Sequence, residues 1–279
     1  MNYGSAATRA NFAFAPIAMA AMTAIVLVMS MPRIAQATEI SVAAASDLTF
    51  AMAEIVDRYQ AKSGDKVTVS FGSSGNFFSQ IQNGAPFDLF FSADADYPKK
   101  LADAGLADSG SLYEYAIGKL VVWVPTASKV DIGRGIDALT DPSITRIAIA
   151  NPDHAPYGRA AVAAMRLAGI YDQLKGKLVL GENISLAAQF AQSGNADAGV
   201  IAASIALSPA MKSAGRYGEV APGQYPPVRQ AAVILKSSHD PAAARRMLDF
   251  FKEPSVAAIL ARYGFSAPTV AAGIDAKGR

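Results

Sequence analysis

The amino-acid sequence predicts an α/β fold of two lobes, each built on a doubly wound sheet, with hinge strands joining the lobes. Short apolar runs alternate along the chain with segments of helical spacing. This pattern stops at residues 126–144, which are rich in Gly, Asp, Ser and Thr, and then restarts. A late apolar run, residues 231–235, follows a connector punctuated by prolines and needs a sheet to join. Successive strand–helix units predict parallel strands with right-handed crossovers.

The first lobe begins with a strand of small apolar residues that ends at Ser46 and Asp47. A helix follows it, and Gly64 predicts the end of that helix. Alternation over residues 66–71 and an apolar run over residues 87–91 predict two further strands. Helices are expected after each of them, the second at residues 97–104. Residues 120–124 predict another strand, and the chain is expected to cross to the second lobe near residues 123–128.

The second lobe repeats the pattern and the chain then returns. Strands are predicted at residues 146–150, 177–180 and 198–202, and helices at 157–167 and 184–192. The return crossing is predicted at residues 222–227, and helices at 242–252 and 255–263 end the fold. The predicted organisation is a signal peptide at 1–37, lobe I at 38–123 and 228–279, and lobe II at 124–227.

The first 37 residues have the features of a cleavable signal peptide. Arg9 precedes an apolar run over residues 12–31, and Ala35 and Ala37 provide the small side chains that a signal peptidase recognises. A retained membrane anchor is the alternative, which the break at Pro32 disfavours. The chain has no cysteine, which excludes disulfides, thiolate metal sites and a lipid-modified cysteine after the signal. We therefore expect a periplasmic protein.

The charge of the exported chain is close to zero. Residues 1–37 contain Arg9 and Arg33 and no acid. Their removal lowers the number of Lys and Arg from 25 to 23, which equals the number of Asp and Glu. The sequence contains no polybasic stretch of the kind that binds nucleic acid or an anionic membrane. We expect neither partner.

Four strand-to-helix corners carry the candidate site, at Ser46, Ser74, Tyr157 and Ile184. The first amides of a helix have no intrahelical acceptor, and they favour an anion together with the helix dipole. Ser46 and Ser74 add hydroxyl donors, whereas Tyr157 and Ile184 would act through their amides. Asp47 is expected to offer its amide and to turn its carboxylate away to cap the helix. Asp47→Asn should then leave the affinity unchanged or improve it.

Other interpretations of these residues remain open. Ser, Asn, Gly and Pro also form ordinary turns. An exported serine hydrolase would need His154 or His239 as its base, and residues 72–75 lack the Gly-x-Ser-x-Gly spacing. Asp94 and Asp96 fit a helix start better than a metal site. Convergence of four corners from two lobes favours one oxyanion site.

Five segments resemble the periplasmic molybdate-binding proteins of ABC importers, over about residues 40–265. They are residues 43–46, 70–74, 84–94, 151–158 and 262–265. The segments Gly-Ala-Pro-Phe-Asp-Leu-Phe and Pro-Asp-His-Ala-Pro are the specific ones.

The resemblance implies a class II periplasmic-binding-protein fold that takes molybdate or tungstate. It implies oxyanion binding by Ser46, Asp47, Ser74, Tyr157 and Ile184, with no side chain bonded to the metal and no catalytic residue. It also implies a monomer without a cofactor that delivers its ligand to a permease in the inner membrane. A receptor for sulfate or phosphate is the nearest alternative.

One position departs from part of that family. The enterobacterial branch has a tyrosine hydroxyl donor where this chain has Ala202, whose side chain cannot donate. The Asp47 position and the Ala-Pro-Tyr-Gly corner resemble the branch found in soil diazotrophs, which lacks that tyrosine.

Overall fold

Two five-stranded sheets lie within residues 1–4 and 38–268, the part of the chain that the computed structural model describes. The strands are β1 (Glu39–Ala45), β2 (Lys66–Gly72), β3 (Leu89–Ser92), β4 (Tyr113–Gly118), β5 (Leu120–Pro125), β6 (Ile147–Ala150), β7 (Leu178–Gly181), β8 (Ala198–Ala202), β9 (Gly215–Glu219) and β10 (Val228–Ile234). The first sheet has the order β2-β1-β3-β10-β4, and the second β7-β6-β8-β5-β9. We call each sheet with its helices lobe I and lobe II. The predicted α/β fold with two sheets is confirmed.

Each sheet combines parallel and antiparallel strands. In lobe I, β1 is parallel to β2 and β3, whereas β10 is antiparallel to β3 and β4. In lobe II, β6 is parallel to β7 and β8, whereas β5 is antiparallel to β8 and β9. The chain leaves or enters a lobe by β4, β5, β9 and β10. The four strand-to-helix corners follow parallel strands, namely β1, β2, β6 and β7.

Helices cover both faces of the sheet in lobe I. The α-helices of the described residues are α1 (Thr49–Ser63), α2 (Ser74–Gln82), α3 (Asp96–Asp103), α4 (Pro156–Leu167), α5 (Tyr171–Leu174), α6 (Ile184–Gln192), α7 (Ala203–Ala206), α8 (Pro209–Ala214), α9 (Pro241–Phe251) and α10 (Pro254–Arg262). Successive strand residues point to opposite faces. Accordingly, Ala44 packs in a core with Met52 of α1, whereas Ala43 packs in another with Phe77 of α2.

The crossing from lobe I to lobe II lies at Lys119, between the ends of β4 and β5. The prediction that placed residues 120–123 in lobe I, with the crossing near residues 123–128, is wrong. Trp123 pairs with Gly199 of β8 and Tyr217 of β9 and is buried in the core of lobe II. An apolar run such as β5 could be buried in either sheet, so its composition does not identify its partners.

Strand register aligns the ends of the parallel strands in each lobe. Ala45 of β1 lies opposite Gly72 of β2, and Ala150 of β6 lies opposite Gly181 of β7. Ser46 and Ser74 therefore follow neighbouring strands of lobe I. Tyr157 and Ile184 follow neighbouring strands of lobe II.

The predicted signal peptide lies outside the described residues, except for residues 1–4. Of the helices in the described part, none has the length and apolar character needed to cross a membrane.

Candidate functional site

The four predicted corners line one small pocket between the lobes. Its cavity volume is about 10 Å³. Its lining residues are Ala45, Ser46, Asp47, Gly72, Ser73, Ser74, Ala93, Ala155, Pro156, Tyr157 and Ile184. Organic ligands usually occupy clefts of about 300–1,000 Å³. The pocket is therefore suited to a small guest.

Backbone amides at two helix starts face no competing acceptor. Pro156 occupies the first position of α4, and Ala155 provides no side-chain cap. Asn183 caps α6 by accepting from the amides of Ser185 and Leu186, not from that of Ile184. Within the described residues, the amides of Tyr157 and Ile184 donate to no acceptor. They remain available to a ligand, as the first amides of a helix generally are.

Two serine hydroxyls border the same pocket from lobe I. The Ser74 Oγ accepts from the amide of Ala93 at 2.9 Å, which leaves its own proton free to donate. The Ser46 Oγ donates to the Asn183 Oδ1 at 3.2 Å. A rotation of that hydroxyl would redirect the proton to a ligand. Ser46 and Ser74 are both buried, so few water molecules compete for these bonds.

Positive side chains are missing from the pocket wall. Among the described residues that line it, none is a lysine or an arginine. Arg159 of α4 instead forms an ion pair with Asp94 at 2.6 Å and lines a separate, larger cleft. The electrostatic attraction for an anion thus comes from amide and hydroxyl dipoles and from helix starts.

Hydrogen bonds across the cleft hold the two lobes together around the pocket. The amide of Gly75 donates to the His154 carbonyl at 2.9 Å, and the Ser73 Oγ lies 2.9 Å from the His154 Nδ1. The Asn76 Nδ2 donates to the Glu182 Oε1 at 3.2 Å. The Arg159–Asp94 ion pair also joins the lobes. The structure is therefore the closed form of the cleft.

Asp47 does not cap the helix, contrary to the sequence-based expectation. Its Oδ2 accepts from the Tyr157 hydroxyl at 2.9 Å and from the Gln230 Nε2 at 2.5 Å. No side-chain cap is found at the 3-10 turn Ser46–Leu48 or at α1. The carboxylate joins α4 of lobe II to β10 of lobe I instead. Its Oδ1 is buried without a hydrogen-bond partner.

Burial changes the acidity of this group. Desolvation raises the pKa of Asp47 to about 6, against the lowering effect of hydrogen bonds from Gln230, Tyr157 and nearby backbone amides. Burial and the Asp47 charge together raise the pKa of the Tyr157 and Tyr115 hydroxyls well above its usual range. Both tyrosines therefore remain donors at neutral pH.

Sequence reasoning missed several residues around Asp47. Gln230 receives a hydrogen bond from the Tyr115 hydroxyl at 2.8 Å, and the Ser204 hydroxyl donates to the Asp47 carbonyl at 2.7 Å. The sequence predicts a role for the Tyr157 amide alone, whereas the Tyr157 hydroxyl also donates to Asp47. Gln230 offered one signal, because a polar residue within an apolar strand needs a buried partner.

The Ser73–His154 pair resembles the nucleophile and base of a hydrolase only in distance. The Ser73 Oγ also accepts from the amide of Asn76 and thereby caps α2. A catalytic base is normally oriented by a third group. In the described part of the chain, no carboxylate is hydrogen bonded to His154. The pair is accounted for as a helix cap and a contact between the lobes.

The family of the chain follows from comparison with known proteins. A family model described as bacterial extracellular solute-binding protein matches residues 40–266. The chain belongs to this family.

Relatives of this solute-binding protein share most of its length. The molybdate-binding protein ModA of Rhodobacter capsulatus is 42% identical over 246 residues, which cover 88% of this chain and 95% of the relative. The ModA of Azotobacter vinelandii is 39% identical over 231 residues, which cover 83% and 91%.

Solved structures agree with the fold. The Azotobacter vinelandii periplasmic molybdate-binding protein matches with a TM-score of 0.78 at 34% identity, over 82% of this chain and 99% of that chain. The sulfate-binding protein SubI of Mycobacterium tuberculosis matches with a TM-score of 0.69 at 16% identity, over 84% and 88%. At that identity the second match shows the fold alone.

Proposed function

We propose that this solute-binding protein captures molybdate or tungstate between its two lobes and delivers the anion to an ABC importer. The observation that carries the proposal is the pocket itself. Neutral donors from both lobes converge there, and the described lining residues include no lysine or arginine. Ser46, Ser74 and the amides of Asp47, Tyr157 and Ile184 are the proposed binding groups.

A tetrahedral oxyanion has the chemistry that this donor set requires. Its oxygens only accept hydrogen bonds, while amides only donate and hydroxyls are able to donate. The starts of α2, α4 and α6 add the positive ends of helix dipoles. Hydrogen phosphate carries a proton that needs an acceptor, which the amides and the donating hydroxyls do not supply, so these groups disfavour it.

The choice of molybdate or tungstate is supported by the relatives. Two relatives at 42% and 39% identity are named molybdate-binding proteins. Sulfate has the same charge but is smaller, so a rigid pocket can discriminate between them by size. The two metal oxyanions are nearly equal in size, and we therefore propose both.

Closure and delivery complete the proposal. An anion that bonds to both lobes stabilises the closed form, because the open form offers it only half of the donors. The predicted signal peptide and the periplasmic solved homologue support a periplasmic location and a permease of the inner membrane as partner. One chain supplies both lobes, which supports a monomer. Capture requires no cofactor, nucleic acid or covalent step.

Calorimetric titration of the purified protein tests the ligand. We expect tight one-to-one binding of molybdate and tungstate, with sulfate and phosphate at least about 100-fold weaker. Tighter binding of sulfate or phosphate would overturn the assignment. Hydrolysis of a p-nitrophenyl ester that disappears in Ser73→Ala would favour an enzyme instead.

A further inference from the structure

A buried acid in the wall of an anion pocket requires an explanation. Asp47 lines the pocket and is only 1% exposed. A carboxylate beside a dianion is repelled, and the low dielectric of a buried site strengthens that repulsion. An ordinary aspartate at this position would therefore oppose the proposed function.

The surroundings of Asp47 do not neutralise it with an opposite charge. The groups that face its carboxylate are the Tyr157 hydroxyl from α4, the Gln230 amide from β10 and the backbone amides of Asp47 and Leu48, with Tyr115 of β4 behind Gln230. Ser204 of α7 reaches only its carbonyl. Within residues 38–268, no lysine or arginine forms an ion pair with it. Its charge is therefore countered only by dipoles.

The two carboxylate oxygens of Asp47 differ in their hydrogen bonds. Two donors point at Oδ2, whereas Oδ1 is buried with no partner. A buried acceptor without a donor is destabilising. A proton on Oδ1 would remove the charge and convert this oxygen from an acceptor into a donor. Asp47 lines the pocket, so an anion bound there would supply an acceptor for this proton.

We propose that Asp47 contributes to the site as a neutral carboxylic acid, so that capture of the anion takes up one proton at Oδ1, which then donates to the anion. This inference rests on the proposed function. It makes Asp47 a determinant of both affinity and pH dependence.

The proton linkage has a definite sign. In an open, hydrated cleft the carboxyl has an ordinary pKa of about 3.9. In the closed form burial raises the pKa of Asp47 to about 6, and a bound dianion raises it further. Affinity should therefore fall roughly tenfold per pH unit between the two pKa values and level off above the higher one. Binding at pH 6 should take up about half to one proton.

Calorimetry in two buffers of different ionisation enthalpy measures this uptake directly. We would titrate molybdate and tungstate, which are fully deprotonated near neutral pH, into wild type, Asp47→Asn and Asp57→Asn from pH 6 to pH 8.5. Asp57 lies on the exposed face of α1 and is the matched control. Asp47→Asn should bind without proton uptake, with an affinity that changes less than threefold over this range. It should bind more tightly than wild type at pH 8.

The outcomes separate the two proposals. Tight binding by wild type without proton uptake would overturn the role of Asp47 and leave the proposed function intact. Equal uptake by wild type and Asp47→Asn would assign the proton elsewhere and also overturn it. No binding of either anion at any pH would overturn both proposals. The wild-type measurement decides the linkage even if Asp47→Asn does not fold.

Discussion

Closure of the cleft depends on a glycine at the contact between the lobes. Gly75 lies in α2 of lobe I against His154 of lobe II. A Cβ at Gly75 would collide with the His154 carbonyl and would lie 2.9 Å from both the His154 Cα and the Tyr97 hydroxyl. The carbonyl and Cα belong to the backbone and cannot rotate away. Gly75→Ala should therefore push the lobes apart at this contact and disfavour closure.

The size of the effect follows from the bonds that the closed form would lose. Gly75 and Ser73 each make a hydrogen bond of 2.9 Å to His154. At about 0.5–1.5 kcal/mol each, their loss disfavours closure by about 1–3 kcal/mol. Each 1.4 kcal/mol is a factor of ten, so the affinity for molybdate should fall about 5- to 150-fold.

The assay compares Gly75→Ala with Gly176→Ala, where an added Cβ meets no atom within 4 Å. Molybdate affinity is measured by calorimetry, and thermal unfolding is followed with and without the anion. Gly75→Ala should unfold near the wild-type temperature without ligand but gain less from molybdate, because ligand stabilisation scales with affinity. Wild-type affinity in Gly75→Ala would show that the closed form is not the binding form.

Three further expectations concern other groups at the cleft. Ser46→Ala combined with Ser74→Ala should lower molybdate affinity at least about 100-fold by calorimetry, because each bond to a charged acceptor contributes about 1.5–3 kcal/mol; a loss below tenfold would exclude the hydroxyls as principal donors. Arg159→Ala should reduce the affinity by no more than about 1 kcal/mol, and by less in 1 M salt, because its ion pair with Asp94 is partly exposed; a larger effect would place Arg159 in the site. Ionisation of Asp47 should lower the free energy of unfolding of the closed, molybdate-bound form as pH rises from 4 to 6, since its closed-form pKa of about 6 exceeds the unfolded value of about 3.9 and the closed form binds more protons in that window. In urea unfolding with saturating molybdate, Asp47→Asn should therefore gain up to about 3 kcal/mol over wild type between pH 4 and pH 7, whereas parallel pH profiles would contradict the raised pKa.

The corners of the site could be predicted because their signals are local. A strand of apolar residues, a capping residue and helical spacing lie within a few residues of Ser74 or Ile184. Parallel strands then place their carboxyl ends at one edge of a sheet. These local patterns and this rule are sufficient to predict that residues of both lobes line one pocket.

The surroundings of Asp47 could not be predicted in this way. Tyr157 is 110 residues from Asp47 and Gln230 is 183 residues away, so neither partner leaves a local pattern. The sheet of β5 also depends on pairing with distant strands. For the same reason Trp123, at the start of the crossing predicted for residues 123–128, lies inside lobe II, and its fluorescence should be insensitive to closure.

The sequence pattern predicts neither β4 nor β9, and for β9 the reason is its composition. Residues 215–219 contain two glycines and two charged residues and lack the alternation expected of a strand. They are held in place by their pairing with β5. Context outweighed the local preference of these residues.

Because each lobe supplies two of the four corners, neither half of the protein can retain the anion for long by itself. A transporter that pulls the lobes apart would therefore release the anion, with no ion pair between anion and protein to break and no competing ligand to supply. Release of the anion then requires no chemical step, and its rate should follow the rate at which the two lobes separate.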